Sequence, residues 1–208
     1  MKNTKPMHPV TNTLTTGFQL HQSGQLAQAE NAYRQVLARD PANAETLHLL
    51  GLLMVQTGRP HDALRLILQA IESDSGVAVY HSSAAMVYML LGNAAQAAAC
   101  YRAALQRNPN DAGDWQNLGE ALEQDGKLAE AETAFRRAAT LQPGSAAAHA
   151  RLGAVLERLD QLESAAAELR QAVKLDPNLA PVHRRLGSVL EKLGQPNAAR
   201  ISFGRALS

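Results

Sequence analysis

A step of 34 residues governs this chain. Starting from Ala131, it lands on Ala29, Ala63, Ala97, Ala165 and Ala199 without exception. From Gly126 it gives Gly24, Gly58, Gly92, Asp160 and Gly194, and from Gly119 it gives Gly17, Gly51, Ala85, Gly153 and Gly187. Phe135 corresponds to Tyr33, Ile67, Tyr101, Leu169 and Phe203. Ala138 corresponds to Val36, Ala70, Ala104, Ala172 and Ala206, and Pro143 to Pro41, Ser75, Pro109 and Pro177. A register held this long points to a small unit that cannot hide its own apolar side and shelters it against its copies.

One copy, residues 112–145, shows what the unit is. Trp115, Leu118 and Leu122 recur at spacings of three and four, the signature of one helical face. Gly126 stands where that helix must stop, and Ala131, Phe135 and Ala138 then mark a second periodic run. Pro143 closes the unit, because the residue before a proline is pushed out of the helical region.

With Trp, Leu-Gly, Ala, Phe and Pro in these slots, the chain resembles the tetratricopeptide repeat family from Val10 to Ser208. The resemblance implies an all-α fold: a right-handed α-solenoid of about six helix-turn-helix units. The units are expected at 10–43, 44–77, 78–111, 112–145, 146–179 and 180–208, behind a disordered tail at residues 1–9. The first unit carries Thr13 and Thr16 where later ones are larger or apolar, as a terminal repeat does. The third is the most divergent, with Ser75 and Gly76 at its entry and Ala85 for the close-packing glycine, so its junction is expected to be the loosest. In the sixth, Ile201, Phe203 and Leu207 are expected to lie uncovered.

The resemblance also places function. In such proteins a second face of each first helix lines a concave groove that holds a peptide. Carried over by position, the candidate groove residues are Leu14, Phe18, His48, Leu52, Val55, Met86 and Met89 in the first three units. In the last three they are Asn117, Glu120, Arg151, Arg158, Arg184 and Arg185, with Leu49 and Leu90 beside the first set. The groove is therefore expected to be apolar toward the N-terminus and mixed in charge toward the C-terminus. Methionine, unbranched and adaptable, suits a surface that takes more than one ligand. Asn117 alone does not make the asparagine ladder of O-linked N-acetylglucosamine transferases. No three consecutive units match the carboxylate clamp of the chaperone-binding type. Arg151, Arg158, Arg184 and Arg185 could receive an acidic segment, or be neutralised in place by Glu157 and Glu191.

Composition matters for what it excludes. A net charge of +1 gives no field toward nucleic acid or membrane, and no apolar run is long enough to span a bilayer. With no apolar secretory segment near the N-terminus, the cytoplasm is the expected compartment. Cys100 is the only cysteine, which rules out an intrachain disulfide framework. His81, His149 and His183 share the tryptophan slot and read as packing residues rather than a zinc set, which needs three or four ligands. No paired carboxylates, phosphate loop or nucleophile-base constellation is visible. The expectation is a non-catalytic protein-binding scaffold without cofactor or metal, taking a protein or peptide partner and neither nucleic acid nor membrane. Two alternatives stand beside it: the arm of a larger glycosyltransferase- or sulfotransferase-type enzyme, and self-association through the last helix.

Overall fold

The computed structural model describes residues 9–207, with side chains from Thr13 onward. Of the expected tail, residues 1–8 lie outside the described residues, and Pro9 opens the first helix. The described residues form twelve α-helices in two units. The first contains α1 (Pro9–Gln22), α2 (Leu26–Arg39), α3 (Ala44–Gln56), α4 (Pro60–Ser73), α5 (Ala78–Leu90) and α6 (Ala94–Arg107). The second contains α7 (Ala112–Gln124), α8 (Leu128–Leu141), α9 (Ala146–Arg158), α10 (Leu162–Leu175), α11 (Ala180–Lys192) and α12 (Pro196–Ala206). The fold is an all-α solenoid of helix pairs, three pairs in each unit. None of these helices is long and apolar enough to cross a membrane.

Local chemistry sets the helix ends. Asn43, Asp111 and Ser145 cap α3, α7 and α9 by accepting from the backbone N–H groups of Thr46, Asp114 and Ala148. Proline opens α4 and α12, where no intrahelical N–H is needed. Each first helix ends in the same turn. A backbone N–H five residues on returns to the last turn of the helix, as Arg59 N does to Met54 O at 2.8 Å and Lys127 N to Leu122 O at 2.8 Å. Both turns put a glycine at positive φ, 75° at Gly58 and 78° at Gly126.

Within a pair, the two helices meet at the small residues of the repeat. Gly119 lies so close to α8 that a Cβ there would stand 2.6 Å from Phe135 Cε1. Between pairs, each second helix packs on the next first helix: α2 on α3 and α4 on α5 in the first unit, α8 on α9 and α10 on α11 in the second. The first unit's core joins Tyr33, Leu50, Leu53, Met54 and Ile67. In the second, Leu122, Phe135, Leu152, Leu156 and Leu169 are fully buried.

Candidate functional site

The tryptophan-slot residues form a structural set. Trp115 Nε1 donates to Pro109 O at 2.9 Å. His81 donates from Nε2 to Ser75 O at 3.1 Å, His149 to Pro143 O at 3.2 Å and His183 to Pro177 O at 2.9 Å. In each case a ring N–H ties the first helix to a carbonyl six residues back, in the turn that precedes it. The histidines keep the donor of the indole they replace. Cys100 is half-buried, and burial pushes its thiol pKa up, away from the reactive thiolate. No grouping of three or more potential metal ligands occurs among the described residues.

In the first unit, the candidate groove residues lie on α1, α3 and α5. Phe18 is 42% exposed, Met86 38% and Leu90 61%. Leu52 and Met89 are half-buried, while Leu14, Leu49 and Val55 rest against the unit's core. His48 departs from the expected exposure. It is buried between α3 and α5, its Nε2 2.8 Å from Ser83 Oγ and its ring 4.8 Å from that of Tyr80. Burial lowers its pKa, holding the imidazole neutral. Its position on the first helix is as expected, but its surface is spent on a neighbour, because Ser83 is small enough to leave it a hydrogen-bonded niche. A second bridge, His21 Nε2 to Gln56 Oε1 at 2.9 Å, links α1 to α3.

In the second unit, the equivalent face carries cross-helix ion pairs. Arg151 pairs with Glu120 at 3.2 Å, and Arg158 pairs with Glu123, joining α9 to α7. Glu157 takes both Arg185 at 3.0 Å and Lys192 at 2.8 Å, joining α9 to α11. Asn117 is half-buried on α7. Four candidate residues are thus neutralised in place: Glu120, Arg151, Arg158 and Arg185. Of the two acids expected to do this, Glu157 takes part, and Glu191 has no recorded pair among the described residues. The structure brings Arg151, Arg184 and Arg185 together around a cleft of about 690 Å³ between α9 and α11, floored by Ala150 and Ala154. Arg158 lies outside it. The cleft has apolar depth and a rim of mixed charge, with Glu157 and Asp176 beside the three arginines.

The partners Ser83 and Gln56 are not among the groove determinants that sequence reasoning singles out. Their signal was present: His21–Gln56, His48–Ser83, Glu123–Arg158 and Glu157–Lys192 are each 35 residues apart, one repeat plus one.

Comparison with known proteins puts this geometry in context. Profiles described as tetratricopeptide repeat match residues 20–87, 82–146 and 117–180. A search of curated proteins finds no match. Among solved structures, a MamA protein is similar at 23% identity and a TM-score of 0.76, covering 83% of this chain and 94% of its own. MamA from Desulfovibrio magneticus RS-1 is similar at 20% identity and a TM-score of 0.73, with 79% and 93% covered. YrrB, described as a TPR protein with an unusual peptide-binding site, shares 19% identity at a TM-score of 0.76, with 85% and 91% covered.

Proposed function

The chain belongs to the tetratricopeptide repeat family, and on that premise we propose that it is a non-catalytic interaction module that holds a partner polypeptide against its first helices. The observation that carries this reading is the exposure of Phe18, Met86 and Leu90 on α1 and α5. Large apolar side chains left in water on one face are what an interaction surface offers. The helices that present them are held by packing in the unit's core, so the receptor loses little conformational entropy when it binds. The matching segment of the partner is an apolar one. In the second unit the α9–α11 cleft takes a more polar segment, oriented by Arg184 and by whichever of the paired cations its carboxylates draw away. The likeness to YrrB, a protein described by its peptide-binding site, supports the same class of ligand.

The test is a panel of peptides selected by display on the full chain, then measured against Met86→Glu. Covering a methionine side chain is worth about 2 kcal/mol, so a carboxylate there weakens apolar peptides at least about tenfold. Helicity by circular dichroism stays unchanged, because Met86 lies outside the core. Undiminished affinity in Met86→Glu, or selected peptides lacking apolar residues, refutes the first-unit surface.

A second reading is favoured by α12. Leu207 is 91% exposed beside a cleft of about 270 Å³ lined by Ala180, Pro181, Phe203 and Ala206. Self-association through this end predicts a concentration-dependent sedimentation coefficient that Leu207→Glu abolishes. Sedimentation independent of concentration in the unsubstituted chain removes this reading.

A further inference from the structure

A different cavity, of about 520 Å³, opens between the second helices α10 and α12, with α11 as its floor. Val173, Leu186, Leu190 and Ile201 give it apolar walls, and Ile201 at its edge is 60% exposed. Arg170, Lys174 and Arg205 line it and no acidic residue does. Arg170 donates to the neutral Gln195 Oε1 at 3.3 Å, which leaves its charge uncompensated. The floor includes His183, only 1% exposed. Its Nε2 donates to Pro177 O, while its Nδ1 is buried with no partner among the described residues. A buried polar atom left unmatched loses the hydrogen bond it would make in water.

The preceding helix pair shows what is missing. There His149 makes the same Nε2 bond to Pro143 O, and its Nδ1 lies 2.7 Å from Glu168 Oε2. In that pair both ring nitrogens have an oxygen partner. One repeat step from Glu168 leads to Ser202, which lines the cavity. Its hydroxyl donates to Ala198 O at 3.1 Å and offers nothing to His183. Replacing glutamate by serine at this slot removes a carboxylate and frees its volume beside Arg170 and Lys174.

We propose that the cavity between α10 and α12 binds a small organic carboxylate with an apolar body, seating its carboxyl group where the preceding pair places Glu168. The apolar body lies along Val173, Leu190 and Ile201, and Arg170 and Lys174 attract the charge. The carboxyl group suits His183 in either form: an acid O–H donates to a neutral Nδ1, and a carboxylate accepts from a protonated one. The volume falls in the range of about 300–1,000 Å³ typical of small-molecule sites. This site is separate from the first-helix surfaces and does not depend on them.

Octanoate is the probe, titrated into the full chain with the histidine rings labelled in ¹⁵N. The expected result is saturable binding that moves the His183 Nδ1 resonance, with octanol at least about tenfold weaker because it lacks the charge. Ser202→Glu supplies the carboxylate internally, so it raises the melting temperature and abolishes octanoate binding. Lys174→Glu, at an exposed position outside the core, reverses a rim charge and weakens octanoate at least about tenfold, keeping the proposal testable if Ser202→Glu folds poorly. Met86→Glu leaves octanoate binding unchanged, so failure here and failure of the peptide surface are told apart. An unmoved His183 signal at saturating octanoate, equal affinity for octanol, or undiminished affinity in Lys174→Glu overturns the proposal.

Discussion

Asp160 holds a left-handed backbone, φ 58°, in the turn between α9 and α10. The corresponding turns use Gly24, Gly58, Gly92, Gly126 and Gly194. A side chain in this region is strained by about 1 kcal/mol, so Asp160→Gly raises stability by up to that amount, read as a higher urea midpoint with unchanged slope. Gly119 predicts the opposite. Its substitution by alanine drives a methyl into Phe135, and overpacking of this kind costs about 1–3 kcal/mol, measurable in the same titration. Both glycines recur at the same period, and the sequence marked both slots. It could not show that one is needed for its φ and the other for its lack of a Cβ, since that depends on what lies across the pair. The slot of Gly119 even takes an alanine, Ala85, on α5. Tyr33 offers a pH test. Burial, and secondarily the charge of Glu45, push its phenol up to about 12 from 10.0. A pKa raised on folding contributes stability that is complete below the unfolded value and lost as pH rises through the folded one. Absorbance titration should therefore show one of the four tyrosines ionising near pH 12, together with loss of helicity.

At the scale of helices, the bonds between successive first helices decide what face is offered to a partner. Their positions were present in the sequence, but a step of 34 finds equivalent residues, whereas four of the touching pairs obey a step of 35. The extra residue follows because a side chain reaches its neighbour from the next position along the following helix. The candidate cations of α9 and α11 were thus legible as a face, and their neutralisation was legible only in part. Glu157 is the hub, so Glu157→Gln releases Arg185 and Lys192 together. Exposed pairs are each worth up to about 1 kcal/mol, so the melting temperature falls by no more than about 2–4 °C per kcal/mol lost. Affinity for acidic peptides rises, and this gain shrinks as salt is added. A second pair works across the first unit. Glu30 accepts from Arg59, which precedes α4, at 2.6 Å, and from Arg34. The Arg59 bond, then the Arg34 bond, hold its carboxyl below the ordinary 4.5. That contribution is present above the ordinary value and lost as pH falls through the lowered one. Glu30→Gln should therefore flatten the acid limb of the stability profile and leave the alkaline limb intact.

For the whole molecule, the question is how far a local lesion spreads. Repeat arrays hold themselves together by the stability of each unit and by contacts with immediate neighbours, with no central core to fail at once. Here the two units each bury their own set of large side chains, Tyr33, Leu50, Met54 and Ile67 in one and Leu122, Phe135, Leu152 and Leu169 in the other. The fold class was readable from period alone, because a register kept through helix after helix admits few ways to bury its apolar stripes. The division after Arg107 was not, since nothing in the repeat step changes there. Leu152, 1% exposed in α9, gives the decisive experiment. Truncating a buried leucine to alanine costs about 2–5 kcal/mol, a large fraction of the stability of any three-pair unit. In Leu152→Ala, amide exchange should accelerate most in α8, α9 and α10, whose packing the side chain supports. Amides of α3 and α4 should keep nearly their original protection, because their core lies in the other unit. Uniform acceleration through all twelve helices would mean that the chain unfolds as one cooperative body, and the nearest-neighbour account of its stability would then be wrong.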